Sequence, residues 1–206
     1  PVLNALFEGI YGESPYKSPT DMGVNMLGFC MSNEDVCCNA AREEIIRRYY
    51  YALCNLADKG TNEHEVNKIS LILKQAKLTT EYRRTTVAAR EMKELYGVPA
   101  SAIELQDGTI ITARTSSLLG PSAALILNAT KHLAGIPHEV KLIPQEMIEP
   151  IQKMKFEYLQ GRNVRLHADE VLVALSMLSV SDPYCRRALE TLPLLRGCQV
   201  HATVLL

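Results

Sequence analysis

The chain has 206 residues, 47% of them hydrophobic, which is enough for one sizeable core or for a core with a smaller satellite subdomain. Its 22 basic and 23 acidic residues leave a formal charge of -1, so no global field draws nucleic acid or an anionic membrane, and neither is expected as a partner. The longest apolar stretches, such as Leu118 to Leu127, are broken by Gly120, Pro121 and Ser122 and fall short of the roughly 20 residues that cross a bilayer. Residues 1–15 have no basic residue ahead of an apolar run, so they do not read as a signal peptide, and the expected location is cytoplasmic. Six cysteines are too few for a disulfide scaffold and read as free thiols that fill space as small hydrophobes. Adjacent Cys37 and Cys38 point about 100° apart on a helix and cannot both face one metal.

Residues 1–31 are expected to be an ordered loop or linker, because the run from Tyr11 to Asn25 holds Pro15, Pro19, Gly12 and Gly23. A start at Pro1 without Met sets the expectation of an upstream domain of the same polypeptide as partner. Residues 32–100 read as a helical bundle. Ser32 with Asp35 resembles a capping box, and Ile45, Tyr49, Ala52 and Leu56 recur at helical spacing up to Gly60. Asn62 with Glu65 opens a second helix through Ile69 and Leu73, and Thr80 opens a third that ends at Gly97 and Pro99. Three helices joined by short links predict an antiparallel bundle.

Residues 101–206 read as an α/β subdomain of order ββαβαααβ. Ala102 to Leu105 and Thr109 to Ala113 flank Asp107-Gly108, a strong hairpin signal. Thr115-Ser116-Ser117-Leu118-Leu119-Gly120-Pro121-Ser122 precedes a helix stopped by Gly135 and Pro137, and a strand is expected from Glu139 to Ile143. Helices are expected from Pro150 to Tyr158, from Leu166 to Leu178 and from Asp182-Pro183, before a terminal strand in which Val200, Ala202 and Val204 alternate with polar residues. The fold class is therefore α/β: an N-terminal three-helix bundle, then a three-layer domain with a four-stranded mixed β-sheet packed by helices.

The long motifs Pro15-Tyr16-Lys17-Ser18-Pro19-Thr20-Asp21-Met22-Gly23-Val24-Asn25, Glu43-Glu44-Ile45-Ile46-Arg47-Arg48-Tyr49 and Leu166-His167-Ala168-Asp169-Glu170-Val171-Leu172 carry a family resemblance. With Gly197-Cys198, they make the chain similar to the bacterial domain of unknown function 1846 family, specifically its C-terminal portion. The resemblance implies an α/β protein about twice this length, whose N-terminal half carries a glycine-rich loop reminiscent of phosphate-binding loops. It brings no established activity. Some members carry the label of an ATP-dependent zinc protease, which these residues do not support. His64-Glu65-Val66-Asn67-Lys68 and His138-Glu139-Val140-Lys141-Leu142 both lack the second histidine of a His-Glu-x-x-His helix. The element order is also similar to that of zinc-dependent cytidine deaminases, but Pro183-Tyr184-Cys185 has no second cysteine and no His-x-Glu follows the hairpin. No metal and no cofactor are therefore expected, with a composite of His167, Asp169, Cys198 and His201 left open.

Two stretches are candidates for binding. Arg114, Thr115, Ser116, Ser117 and Ser122 lie at a helix start, where unpaired N–H groups favour an anion. Its alternative is a hydroxyl cap on a buried helix. Lys17, Ser18, Thr20, Asp21 and Asn25 offer charge and hydroxyl groups on a proline-stiffened backbone, with Arg47 and Arg48 as further cations. Its alternative is a structural joint to the upstream domain. His167, Asp169 and Glu170 form a possible third polar site. No nucleophile elbow marks a catalytic residue, so whether the chain is an enzyme stays open. The function expected is help in binding a phosphorylated or nucleotide-like small molecule together with an upstream domain. The alternative is a non-catalytic oligomerisation or domain-docking module, with a homo-oligomer expected.

Overall fold

The computed structural model describes residues 2–12, 33–60 and 63–204, which fall into two compact units divided between Arg83 and Arg84. In the first unit, Val2–Tyr11 forms α1, a helix where a loop or linker was expected. Helix α2, Glu34–Lys59, starts one residue later than the capping-box reading placed it. Asn33 is the cap, its Oδ1 accepting the Val36 N–H at 3.1 Å, and Gly60 closes the helix at φ 62°, a conformation that costs glycine little. Helix α3, Glu63–Gln75, packs on α2 and buries Ile69 and Leu73. A 3₁₀ turn, Thr80–Tyr82, returns to α2, where the Tyr82 hydroxyl donates to Asn39 at 2.6 Å and Arg83 pairs with Glu43 at 3.0 Å.

The expected third bundle helix breaks at Arg83, and its main part, α4 over Arg84–Tyr96, belongs to the second unit. The reason is its small-residue face. Thr85, Thr86 and Ala89 are buried, which lets α4 lie close to a strand whose own side chains there are Ala100 and Ala102. The hairpin forms as its turn predicts: β1, Ala100–Glu104, pairs antiparallel with β2, Ile110–Arg114. Gly108 takes φ 82° and Asp107 Oδ1 accepts the Thr109 N–H at 2.9 Å. Strand β3, Gln199–Ala202, pairs antiparallel with the other edge of β1, giving the order β2-β1-β3. Alternation along β1 divides the sheet. Glu104 reaches Arg84 of α4 at 2.6 Å, whereas Ile103 and Ala113 pack with Leu125 and Ala129 of helix α5, Pro121–Leu133.

The described sheet thus has three strands, all antiparallel, and corrects the expected four-stranded mixed sheet. The segment from Glu139 to Ile143 is not a strand. Consecutive Leu142 and Ile143 are both buried, which breaks the alternation a half-exposed strand requires. Its backbone and the turn ahead of it are bonded by side chains and turns: Lys131 donates to the His138 carbonyl, Arg187 to the Ala134 carbonyl, the Val140 N–H to the Pro137 carbonyl, and the Cys185 thiol to the Leu142 carbonyl at 3.0 Å. Helix α6, Gln145–Lys153, contains Pro150 rather than starting there, and runs into a π turn over Met154–Tyr158. Helix α7, Ala168–Leu178, and α8, Pro183–Glu190, complete the unit. Asp182 caps α8 by accepting from Tyr184 N–H at 2.7 Å. Leu166, Val171, Leu175, Ile148 and Cys185 form the larger core, over which α5, α7 and α8 pack.

Candidate functional site

The site begins with Leu166, which is fully buried and fixes the loop ahead of α7. Its N–H donates to the Leu118 carbonyl at 2.9 Å and its carbonyl accepts the Gly120 N–H at 3.0 Å, a single parallel bridge between the loops that lead into α5 and α7. Arg165 adds a second tie, its Nε donating to the Ser116 carbonyl at 2.7 Å. Two helix starts far apart in sequence are thereby laid side by side. Between them opens a cavity of about 550 Å³. Its polar lining includes Thr115, Ser122, Asn163, Arg165, His167 and Asp169, and Pro99, Pro121, Ala123 and Val204 supply apolar wall.

Each helix start presents donors. Pro121 takes the first position of α5 and has no N–H, so Ser122 and Ala123 carry the first backbone donors, and Gly120 provides no side-chain cap. The start of α7 is capped from inside the helix, by Glu170 Oε2 accepting the His167 N–H at 2.8 Å. The same carboxylate oxygen receives Lys155 Nζ at 2.8 Å, and Nζ also donates to the Arg165 carbonyl at 2.7 Å. Lys155 is only 8% exposed and comes from the π turn, so one buried ammonium holds both the Arg165 loop and the α7 cap. Asn163 Oδ1 accepts the Arg165 N–H at 3.1 Å, which turns its amide N–H toward His167 Nε2 at 3.2 Å.

Of the residues singled out by sequence, the cavity brings together Thr115, Ser122, His167 and Asp169, which the sequence assigned to two separate candidates. Others have local roles. Ser116 Oγ accepts the N–H groups of Leu118 and Leu119, Thr115 Oγ1 donates to the Pro99 carbonyl, and Glu170 is the α7 cap. The Ser117 carbonyl accepts from Gln152. Arg114 lies over the Tyr96 ring at 4.5 Å and does not line the cavity. Arg47 and Arg48 are clamped by Glu44, at 2.6 and 2.8 Å, and the Arg47 hydrogen bond leads in pulling the Glu44 carboxyl down to about 2. Lys17, Ser18, Thr20, Asp21 and Asn25 lie outside the described residues.

Sequence reasoning missed Arg165, Asn163 and Lys155. The first two stand just ahead of the α7 cap, where Arg-Asn-Val-Arg was a usable signal, whereas nothing local marks Lys155. Among the described residues no group of three or more His, Cys, Asp or Glu side chains is placed to hold a metal ion, and no helix is long and apolar enough to cross a membrane.

Comparison with known proteins fits this division. Residues 81–206 match the family model described as domain of unknown function DUF1846, C-terminal, and residues 1–77 match its N-terminal counterpart. The expectation of the C-terminal portion alone is thus corrected. The chain is 48% identical over 206 residues to UPF0371 protein cu0538 of Corynebacterium urealyticum, 47% to a UPF0371 protein of Corynebacterium glutamicum, and 43% to one of Streptococcus pneumoniae. In each case all of this chain is matched, and it spans 41%, 42% and 42% of the relative's length. None of these names states an activity. On these matches the chain belongs to the DUF1846 family.

Proposed function

We propose that the cavity between the starts of α5 and α7 binds the phosphate or carboxylate group of a small molecule. The observation that carries the reading is the convergence of two helix N-termini on one cavity beside Arg165. Each helix start contributes about half a positive charge, and Arg165 adds a full one. Against this stands Asp169, leaving a net balance of about one positive charge, suited to a single anionic group. The N–H groups of Ser122 and Ala123 serve as donors to the anion. Asp169, an acceptor only, takes a hydroxyl or amine of the same ligand, whose body lies against Pro99, Pro121 and Val204.

The site binds its ligand together with other parts of the polypeptide. Calorimetric titration with nucleoside monophosphates, sugar phosphates and inorganic phosphate tests it. Saturable binding of at least one phosphorylated compound is expected, weakened about 10- to 100-fold by Arg165→Gln through loss of a charge-assisted contact. Absence of binding across the panel at millimolar concentration, or binding indifferent to Arg165→Gln, overturns it.

A further inference from the structure

Arg165 and Asp169 bring opposite full charges to the lining of one cavity, and neither charge is matched there. The Asp169 carboxylate has no hydrogen bond or ion pair with any described residue. Arg165 uses only Nε, on the Ser116 carbonyl at 2.7 Å, and its two terminal nitrogens have no partner among the described residues. Nor do the two side chains pair with each other, although opposite charges in one cavity attract. Their supports hold them apart. The Arg165 loop is tied at both Nε and its carbonyl, the latter by the Lys155 ammonium at 2.7 Å, and Asp169 stands in the first turn of α7. The cap of that helix is Glu170, which leaves the Asp169 carboxylate open to a ligand.

Thr115 Oγ1 donates its hydrogen to the Pro99 carbonyl at 3.0 Å, so only its lone pairs remain for a ligand. The lining therefore offers two acceptors, Thr115 and the charged Asp169, besides the donors of Arg165 and the start of α5. An ammonium group, with three donors and no acceptor, complements such a pair, whereas a hydroxyl brings one donor and no charge. Charge decides between them. A ligand body settling against Pro121, Ala123 and Val204 displaces water from Asp169, and a carboxylate stripped of water is costly unless a counter-charge meets it. A nucleobase is not favoured, because no described lining residue is aromatic and the base finds no ring to stack on. We infer, on the footing of the anion site proposed above, that the cavity takes a small zwitterion. Its phosphate or carboxylate lies at Arg165 and the start of α5, and its ammonium at Asp169 and Thr115.

Calorimetric titration of the whole chain with matched compounds, near neutral pH where the amine is protonated, provides the test. Aminoethyl phosphate, hydroxyethyl phosphate and ethyl phosphate differ only in the group offered to Asp169, and β-alanine and propanoate form the carboxylate pair. The amine is expected to bind at least about tenfold more tightly than its matched compounds, the effect of one charge-assisted contact. Preference among the phosphates alone assigns the anionic group as a phosphate, and preference within the carboxylate pair alone as a carboxylate. In Asp169→Asn the matched compounds are expected to fall within about threefold of one another, because the preference resides in that carboxylate. Hydroxyethyl phosphate binding as tightly as aminoethyl phosphate, with no preference in the carboxylate pair, overturns the inference and leaves the anion site standing. A preference for the amine that survives Asp169→Asn overturns it as well. Absence of binding by every compound at millimolar concentration overturns the anion site and the zwitterion with it.

Discussion

Lys155 is the residue whose loss should be felt most widely in the second unit. It is 8% exposed, and its ammonium makes two charge-assisted bonds, to Glu170 Oε2 at 2.8 Å and to the Arg165 carbonyl at 2.7 Å. Lys155→Met keeps most of the buried stem and removes both bonds. Each hydrogen bond to a charged group contributes about 1.5–3 kcal/mol net, and the carboxylate left behind loses its counter-ion. Glu170 is 26% exposed and keeps its bond from the His167 N–H, so water and the helix start recover part of that loss. The expected destabilisation is therefore about 2–3 kcal/mol, lowering the melting temperature by about 4–12 °C for a domain of this size. Calorimetric or circular-dichroism melting measures it. Glu170→Gln, which keeps an acceptor, should cost less, and the double variant should cost less than the sum because one interaction is shared. A Lys155→Met chain within 0.5 kcal/mol of the unaltered one would refute the reasoning, placing the ammonium in water rather than between the two loops.

Three further outcomes follow from the same structure. Thr86 is fully buried on α4 and its hydroxyl has no hydrogen-bond partner among the described residues. Thr86→Val should stabilise the second unit by about 1 kcal/mol in denaturant unfolding, and a loss of stability would show that the hydroxyl has a partner. The Cys185 thiol is pushed up to about 11, by burial first and by Asp182 next, whereas Cys54 is exposed. At pH 8 a maleimide followed by peptide mass spectrometry should therefore label Cys54 promptly and Cys185 only on unfolding; equal rates would contradict the packing. Glu44, held at about 2 in the folded chain against an ordinary 4.5, contributes stability that is complete above pH 4.5 and vanishes as pH falls through 2. Because Arg47 and Arg48 are 58% and 68% exposed, screening reduces that contribution to less than about 1 kcal/mol. The difference in melting temperature between the unaltered chain and Glu44→Gln should shrink over that interval, and a constant difference would contradict the assignment.

The local chemistry of this chain reads well from its residues. Asp107-Gly108 makes the hairpin, Gly60 ends α2 and Asp182-Pro183 starts α8, because each rests on backbone preferences acting over a few positions. Tertiary choices are less legible. The run from Glu139 to Ile143 has the composition of a strand, yet Lys131, Arg187 and Cys185 claim nearby carbonyls and two consecutive side chains enter the core. Helix α4 has the periodicity of a bundle helix, but the smallness of Thr85, Thr86 and Ala89 matches it to the alanines of β1. Half of the candidate site was visible, as hydroxyls around the start of α5 and as His167 and Asp169 at the start of α7. What joins the halves was not, since Leu166, Arg165 and Lys155 act on partners 10 to 49 residues away.

The anion reading depends on backbone donors at two helix starts facing one cavity, and nitrogen–proton NMR of the chain titrated with inorganic phosphate addresses those donors individually. Saturable shifts concentrated on the amides of Ser122, Ala123, Ala168 and Asp169 are expected, with the affinity they report weakened about 10- to 100-fold by Arg165→Gln. Shifts scattered over the surface in proportion to ionic strength, with those four amides unmoved, would contradict the reading.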